Sequence, residues 1–575
     1  MKRTLKDLSV GAVVCASLTL GSLGSWQQAH ADASQADDAV VRAMRDELTR
    51  SSQQLQLPDA GKPYYMSLVL HEEQSVMAIA SFGALVSKNE TRSRHLRADV
   101  RVGSYAVDSS NMDMRGGVSL QRLPLDDDYD VVRHDVWYAL DDAYKRAAAA
   151  YARKLALRES LAQDSAEVDD FSHEAASHIV VKRDVPSVDG QRAVALAKEL
   201  SALAKKFPAI QSSEARIIGG SGRQVMLTSE DTFTSENDAL VTLTVLMRTQ
   251  APDGMPLSRF VSYSAPTLDG LPAQAALAEE CTRAATELTA LRDAEQASDY
   301  TGPVLFEGPA AAQLFAFVIA PQLSGAPAPK SEGMRGMRSE SELASKLGQR
   351  VLPAGFSLVD DPTLDQLDGQ PLIGRSAADD EGMPAQKVAL VQDGLLQDFL
   401  MSRAPRKGFV HSNGHAHGSM FGSPRASIAN LLVTTSKGVS RPELTKKLLA
   451  EAKAAGQGYA LIVRLLDDPV TSGDYSSPAR RRGANVPPPF VLIKLTPDGK
   501  EQPLRGGSFG ALPLSAFEEI LAAGQTAEIL NRSVGHSWSV AAPALLFKRV
   551  QVQKPSGQQR KLPELTHPYF EARKL

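Results

Sequence analysis

Apolar and polar residues alternate through much of "YYMSLVLHEEQSVMAIASFGALVSKNETRSRHLRADVRVGSYAV", which runs from Tyr64 to Val107 and is rich in β-branched and aromatic side chains. A period of two turns one face of a strand toward a core, so the stretch from Pro63 to about Val107 predicts a meander of three strands. The period changes on both sides. Upstream, "ADDAVVRAMRDELTRSSQQL" reads as an amphipathic helix. Downstream, Leu140, Tyr144, Ala148, Tyr151 and Leu155 share one helical stripe, and the alanine run from Ala147 to Ala150 favours helix further. A second α/β stretch follows, with a helix in "QRAVALAKELSALAKKF" and strands in "ALVTLTVLMRTQ" and "SRFVSYSA". Pro272 opens another helix, whose stripe runs through Leu277, Cys281, Ala284, Leu288 and Leu291.

From about Tyr300 the pattern is β-rich. Asp393-Gly394 and Asp498-Gly499, each between apolar runs, predict hairpins. The Gly/Pro/Ser/Lys-rich segment from Ser324 to Gln349 and the segment "SSPARRRGANVPPP" predict loops, and "GGSG" from Gly219 predicts a turn. No internal repeat is present.

The chain has 575 residues, enough for two to four domains at ordinary domain size. Its formal net charge of -4 gives no bias toward nucleic acid or anionic membrane. Lys2, Arg3 and Lys6 precede the apolar run "LSVGAVVCASLTLGSLGSW" and the small-x-small site Ala29-His30-Ala31. That is the layout of a secretory signal peptide over residues 1–31, cleaved near Ala31 or Ala33, so the protein is expected to be exported, periplasmic or secreted, with no integral membrane segment left after cleavage. Cleavage leaves Cys281 as the single cysteine, which excludes an intrachain disulfide and any multi-cysteine zinc site; its place in a helical stripe makes it a core residue.

Two histidine clusters invite a metal reading. In "FSHEAASHIVV", His173, Glu174 and His178 spell His-Glu-x-x-x-His. On a straight α-helix, residues five apart diverge by about 140° at 3.6 residues per turn, so this spacing does not share one helical face, and the expectation is a surface loop. In "VHSNGHAHGSM", His415 and His417 would share one face of a strand, and His411 could complete three ligands, with His536 of "SVGHSW" approaching from elsewhere. Glu307, Asp379, Asp380 or Glu381 would then supply a general base, although "DDEG" also has turn composition. A nucleophile elbow, a phosphate-binding loop and spaced cysteine pairs are all absent.

Several stretches resemble the TldD/PmbA family, the modulator-of-gyrase peptidases. They are "YTGPVLFEG" from Tyr300, "LVDDPTL" from Leu358, "DDEGMPAQKVALVQDGLLQDFLMSR" from Asp379, "SNGHAHG" from Ser412, "FVLIKLTPDGKEQPLRGGSFG" from Phe490 and "SWSVAAPALLFKRVQVQKP" from Ser537. The resemblance implies an α+β fold of two domains, an α/β N-terminal domain over 32–299 and a β-rich C-terminal domain over 300–560. It also implies a dimer, formed with itself or with a TldD-type subunit, around a cavity that receives peptide or unfolded protein segments. TldD-type members take zinc from a His-Glu-x-x-x-His motif and a later cysteine. Counting back from Leu323-Ser324-Gly325 places Ala316, Phe317 and Pro321 where those donors stand, and no cysteine follows Cys281. The expectation is a PmbA-like member with no cofactor; the family is one of peptide hydrolysis, but this chain lacks its motif. The same resemblance assigns Ser412, Asn413, Gly414, His415 and His417 to contact with peptide. The second reading keeps a zinc peptidase built on relocated ligands His411, His415, His417 and His536.

Overall fold

The computed structural model describes residues 38–58, 61–111, 116–160, 168–327, 341–418, 422–468, 471 and 485–555. The segment read as a signal peptide, residues 328–340 of one predicted loop and 476–484 of the other lie outside the described residues.

The first half is built on seven strands: β1 (Pro63–Ser81), β2 (Ala84–Val102), β3 (Val118–Arg122), β4 (His178–Val181), β5 (Ser212–Thr228), β6 (Phe233–Gln250) and β7 (Pro256–Ala265). They lie in the order β3-β2-β1-β5-β6-β4, with β7 also on β6. The three-strand meander expected up to Val107 is corrected here. The alternation belongs to one long hairpin, β1 with β2, turned at Phe82 and Gly83, both at positive φ, and the third strand starts later, at Val118.

Four helices cover one face of this sheet: α1 (Ala39–Gln54), α2 (Tyr129–Ser160), α3 (Gly190–Ala202) and α4 (Gln274–Leu291). Helices α1 and α2 pack at one end, on Met66, Leu68 and Leu70 of β1 and Val225 and Leu227 of β5. Helices α3 and α4 pack at the other end, on Ala78 and Ala80 of β1, Ala215 and Ile217 of β5 and Leu243 of β6, where Cys281 is buried. Every strand residue named here has the parity of its neighbours, so both helix pairs sit on one side of the sheet. On α2 the predicted stripe is buried at Leu140 and Tyr144 but leaves Leu155 exposed, because the last turns bury Lys154 instead, against Asp170.

The "GGSG" turn is also corrected. Gly219 to Gly222 lie in the middle of β5, paired with β1 and β6. A Cβ on Gly222 would stand 1.9 Å from the carbonyl oxygen of Glu72, and one on Gly220 would stand 2.4 Å from the Glu73 carboxylate. Glycine is there for close approach inside a strand rather than for a turn.

The second half carries a twelve-stranded mixed sheet. Its strands are β8 (Glu295–Gln296), β9 (Tyr300–Phe306), β10 (Phe356–Asp360), β13 (Val388–Gln392), β14 (Leu395–Leu396), β17 (Asn430–Thr435), β18 (Ala460–Leu466), β19 (Pro489–Leu495), β20 (Glu501–Arg505), β21 (Ser508–Phe509), β22 (Ile520–Val534) and β23 (His536–Gln553). Two short pairs stand apart, β11 (Gln366–Leu367) with β12 (Gln370–Pro371) and β15 (Ala416–His417) with β16 (Arg425–Ala426). Both predicted hairpins form. Asp393 and Gly394 take positive φ between β13 and β14, and Gly499 does so between β19 and β20. Helix α5 (Pro309–Leu314) enters the main core, and α6 (Arg441–Ala454), opened by a Ser440–Glu443 capping box, covers the sheet beside β9 and β18. The architecture is α+β in two parts, an α/β first half and a β-rich second half, as the resemblance implied.

Several side chains bond across the halves, and Arg403 is the most deeply buried of those described. Arg403 is fully buried: Nη1 donates to Glu230 Oε2 at 2.6 Å and Nη2 to the Ser172 carbonyl at 2.7 Å. Its guanidinium lies 3.9 Å from the centre of the Phe171 ring, and the guanidinium of Arg101 lies 3.8 Å from the same ring.

Candidate functional site

The helix-free face of the first sheet is polar. Arg216, Ile218, Gly220, Gly222 and Gln224 alternate along β5 on that side, matched by Thr242 and Thr244 of β6 and Ser262 and Ser264 of β7. Hydroxyls pair across the strands, Thr242 with Ser264 at 3.0 Å and Thr244 with Ser262 at 3.3 Å. This face floors a cleft of about 710 Å³, whose opposite wall comes from the second half: Arg375, Ser376, Ala378, Asp380, His417, Gly418 and, at the β22–β23 tip, Arg532 to Gly535 and Ser537.

Most charges on the walls are already compensated. Arg223 pairs with Asp38 at 2.5 Å and with Glu72 at 2.6 Å; Arg532 pairs with Asp468 at 2.6 Å and donates to Thr471 Oγ1 at 2.9 Å. Arg375 is held more loosely, 3.8 Å from Asp238 and 3.9 Å from Asp365. Three buried polar atoms on lining residues, Ser376 Oγ, His417 Nε2 and Arg532 Nε, have no hydrogen-bond partner in the protein. Burial lowers the His417 imidazole to about 3, helped by nearby His536, and lowers that of His71, across the cleft, to about 4. Both rings are therefore neutral at physiological pH.

The loop from His411 to Gly418 divides its residues between scaffold and cleft. Asn413 is a staple: its Oδ1 accepts from the Met401 amide at 2.7 Å and its Nδ2 donates to the Phe399 carbonyl at 2.8 Å. Gly414 has φ of 74°, and a Cβ there would meet the Pro384 carbonyl at 2.2 Å. His415 is buried, with Nδ1 2.9 Å from the Asn413 carbonyl and Nε2 3.3 Å from Asp360 Oδ1. The Ser412 amide donates to Glu174 Oε1 at 2.9 Å. Of the five loop residues assigned to peptide contact, His417 is the one that lines the cleft.

The relocated ligand set is dispersed. His411 is exposed, its Nδ1 3.4 Å from Glu174, and both nitrogens of His415 are in use. His536 stacks on His417 at 5.1 Å between ring centres and sets its Nε2 2.8 Å from the Ile428 carbonyl. Among the described residues no three His, Cys, Asp or Glu side chains converge in a way that could hold a metal ion.

The carboxylates expected as bases have structural partners. Asp379 is buried and accepts from the amides of Glu381, Met383 and Ala416. Burial and the adjacent Glu381 raise its carboxyl well above the usual range, and burial raises that of Glu381 as well. Asp380 accepts from the Gly418 amide at 2.9 Å. Gly382 closes the turn at positive φ and accepts from Ser177 of the first half. Burial works to raise Glu307, but the guanidiniums of Arg441 and Arg464, at 3.0 and 2.7 Å, outweigh it and hold the carboxyl below its ordinary value.

Among the described residues, His173, Glu174 and His178 are not gathered into a group of metal-ligand type. The stretch is a loop running into β4; His173 stacks on Tyr105 and His178 lies 3.7 Å from Asp231, while Glu174 ties Ser172 to Ser412 across the two halves.

The segment after β9 has the opposite character. Phe315 to Ile319 form a π-helical turn that continues α5, and Pro321 follows in a 3-10 turn. Of the positions that the resemblance gives to zinc ligands, Ala316 and Phe317 lie in the π-turn and Pro321 beyond it, in the 3-10 turn. Ala316 and Phe317 are half-buried and Pro321 exposed, among buried Phe315, Val318, Ile319 and Leu323. Methyl, phenyl and pyrrolidine groups offer no lone pair to zinc, so the residues present do not fit the metal.

The sequence reading missed most of the cleft. Its signal was legible in "VTLTV" and "VSYSA", where hydroxyls hold one strand parity and Val241, Leu243, Val245 and Val261 the other.

Residues 299–483 match the model of the PmbA/TldA metallopeptidase C-terminal domain. The chain is 27% identical over 161 residues to an uncharacterized protein of Methanocaldococcus jannaschii and 30% identical over 99 residues to a metalloprotease of Archaeoglobus fulgidus; these matches cover 28% and 17% of this chain but only 35% and 22% of those relatives. Solved structures align over far more of it. A putative modulator of DNA gyrase from Thermotoga maritima has a TM-score of 0.57 at 15% identity, covering 85% of this chain and 96% of that one. TldE from Thermococcus kodakarensis has 0.56 at 13% identity, covering 89% and 100%. A putative modulator of DNA gyrase from Bacteroides thetaiotaomicron has 0.56 at 13% identity, covering 89% and 99%. Together these findings show a PmbA/TldA metallopeptidase C-terminal domain over residues 299–483 and, for the chain as a whole, the fold of the modulator-of-gyrase and TldE structures.

Proposed function

We propose that this chain is an exported member of the family that works without its own zinc, holding unfolded peptide segments or completing the cavity of a catalytic TldD-type subunit. The observation that carries the reading is the set of side chains after β9: Ala316, Phe317 and Pro321, none with a lone pair for zinc, occupy the donor positions implied by the resemblance. Export is supported by the basic, apolar and small-residue order of the first 31 residues. A polar cleft with neutral imidazoles and unpartnered donors suits a hydrogen-bonding ligand.

The test is the metal content of untagged protein, by elemental mass spectrometry after dialysis. The expected result is far less than one zinc per subunit, with a TldD-type subunit or unfolded peptide retained on the protein. A full equivalent of zinc held through dialysis sinks this reading in favour of the relocated site, whose one structural support is the unpartnered Nε2 of His417 stacked beside His536. Loss of that zinc on His417→Ala would then locate it.

A further inference from the structure

Two charged side chains of opposite sign line the cleft with no hydrogen bond to either. Glu73 of β1 has neither a hydrogen bond nor an ion pair among the described residues. Its carboxylate lies on the cleft floor beside Gly220, where a Cβ would stand 2.4 Å from Oε1. The acids around it are engaged: Glu72 with Arg94 and Arg223, Glu236 with Arg183 and the Ala377 amide, and Asp380 with the Gly418 amide. On the opposite wall, Arg375 lies 3.8 Å from Asp238 and 3.9 Å from Asp365, beyond hydrogen-bond length, and donates no hydrogen bond among the described residues. Both of those carboxylates are more than half exposed, so water screens their hold on it. The fork of an arginine fits a carboxylate through two parallel bonds, and here the fork is unfilled.

The sheet sets the interval between the two charges. Glu73 pairs with Gly222 of β5, and Gly222 pairs with Asp238 of β6, the neighbour of Arg375. Adjacent strands lie about 4.7–4.9 Å apart, which puts the two ends on the order of 10 Å from each other. An extended chain advances about 3.3 Å per residue, so roughly three residues span that interval. Gly220 and Gly222 leave the floor bare of side chains there, and Ser376 Oγ, His417 Nε2 and Arg532 Nε line the same cleft without partners.

We propose that Glu73 and Arg375 clamp the two ends of a short free peptide, Glu73 receiving its terminal ammonium and Arg375 its terminal carboxylate. The inference rests on the peptide-holding reading above and narrows its ligand to peptides of about three residues with both termini free. Opposite charges at a fixed interval select by length as well as chemistry. A longer chain that runs past either end presents a neutral amide where a charge is wanted, which is discrimination by an unmet partner. The unpartnered groups on the opposite wall are left to bond the amides and carbonyls between the ends.

The experiment is isothermal titration of the full chain with trialanine, N-acetyl-trialanine, trialanine amide and a Thr/Val-rich decapeptide capped at both ends. Charge-assisted hydrogen bonds are roughly twice as strong as neutral ones, so trialanine should bind at least tenfold more tightly than either singly capped form. Glu73→Gln should remove the penalty for acetylation alone, and Arg375→Gln the penalty for amidation alone. Glu73 has no partner to lose, so its variant should melt with the wild type. Equal binding of the three tripeptides overturns the clamp. A doubly capped Lys-Ala-Glu tripeptide that binds as well as trialanine also overturns it, because the charges would then be read from side chains. Binding of the capped decapeptide without binding of trialanine removes the clamp and leaves peptide holding in place; binding of neither removes both.

Discussion

The π-turn after β9 and the cleft between the two sheets differ in opposite ways. The turn region carries, where the resemblance expects zinc ligands, side chains with no donor atoms; the cleft has donor atoms without partners and, among the described residues, no convergent ligand set. A metal site needs a few fixed lone pairs at close range. A peptide site needs distributed hydrogen-bonding groups along an edge. Ala316, Phe317 and Pro321 offer no such lone pairs, whereas hydrogen-bonding groups line both walls of the cleft.

The contrast can be tested by its dependence on the joint. Arg403→Ala removes the buried guanidinium between Glu230 and Phe171. Removing one member of a buried pair typically costs about 3–5 kcal/mol. Denaturant unfolding should shift by that amount and separate into two transitions, with peptide binding lost. Gly222→Ala attacks the cleft floor instead. Its Cβ would collide with the Glu72 carbonyl, and overpacking of this kind costs about 1–3 kcal/mol. Melting should fall accordingly; an unchanged melting temperature would mean that β1 and β5 do not approach as closely as described.

The empty frame is tested by refilling it. Ala316→His with Pro321→His restores imidazoles at the two positions where the resemblance places histidines, and zinc affinity measured calorimetrically should rise at least tenfold, about 1.4 kcal/mol. If it does not rise, the turn is not a ligand frame. The cleft histidines are tested by pH. Their folded-state values, about 4 for His71 and about 3 for His417, lie below the unfolded value near 6.5. The unfolded chain therefore binds protons that the folded chain refuses, and stability falls as pH drops from about 6.5 toward 4, by up to about 1.4 kcal/mol per pH unit for each ring. The raised carboxyls of Asp379 and Glu381 act with opposite sign. The diagnostic comparison is thus wild type against His417→Gln, which should show the shallower loss in denaturant titrations below pH 6. The smallest effect is expected from Glu174→Gln. It weakens the acceptor for the Ser412 amide and should cost about 0.5–1.5 kcal/mol while leaving metal content unchanged. A change in bound metal would return this glutamate to a catalytic role.

Local chemistry was enough for elements whose instructions lie within a few residues. The Asp393-Gly394 and Asp498-Gly499 hairpins and the buried stripe through Cys281 follow from turn residues and periodicity, and the loop around His173 from spacing that suits no α-helix. Gly219 to Gly222 were misread because close packing against Glu72 and Glu73, 147 positions and more away in the chain, decides their conformation. Lys154 took a buried place predicted for its neighbour because Asp170 arrives from outside the helix. The loop residues Asn413 and His415 look like site residues in one dimension and prove to be staples, since their partners Met401, Phe399 and Asp360 lie at other addresses.

By itself the sequence determined the absence of zinc donors at Ala316, Phe317 and Pro321, because a side chain without a lone pair cannot gain one by folding. It also determined the strand parity that sorts Val241, Leu243 and Val245 from Thr242 and Thr244, because successive residues of a strand face opposite sides. Only the tertiary structure decided that this hydroxyl face would be roofed by His417 and Arg532, and that β4 would pair with the start of β6 and β7 with the rest. Those outcomes depend on where remote segments stop beside β6, and a strand's end is set by what packs against it rather than by its own residues.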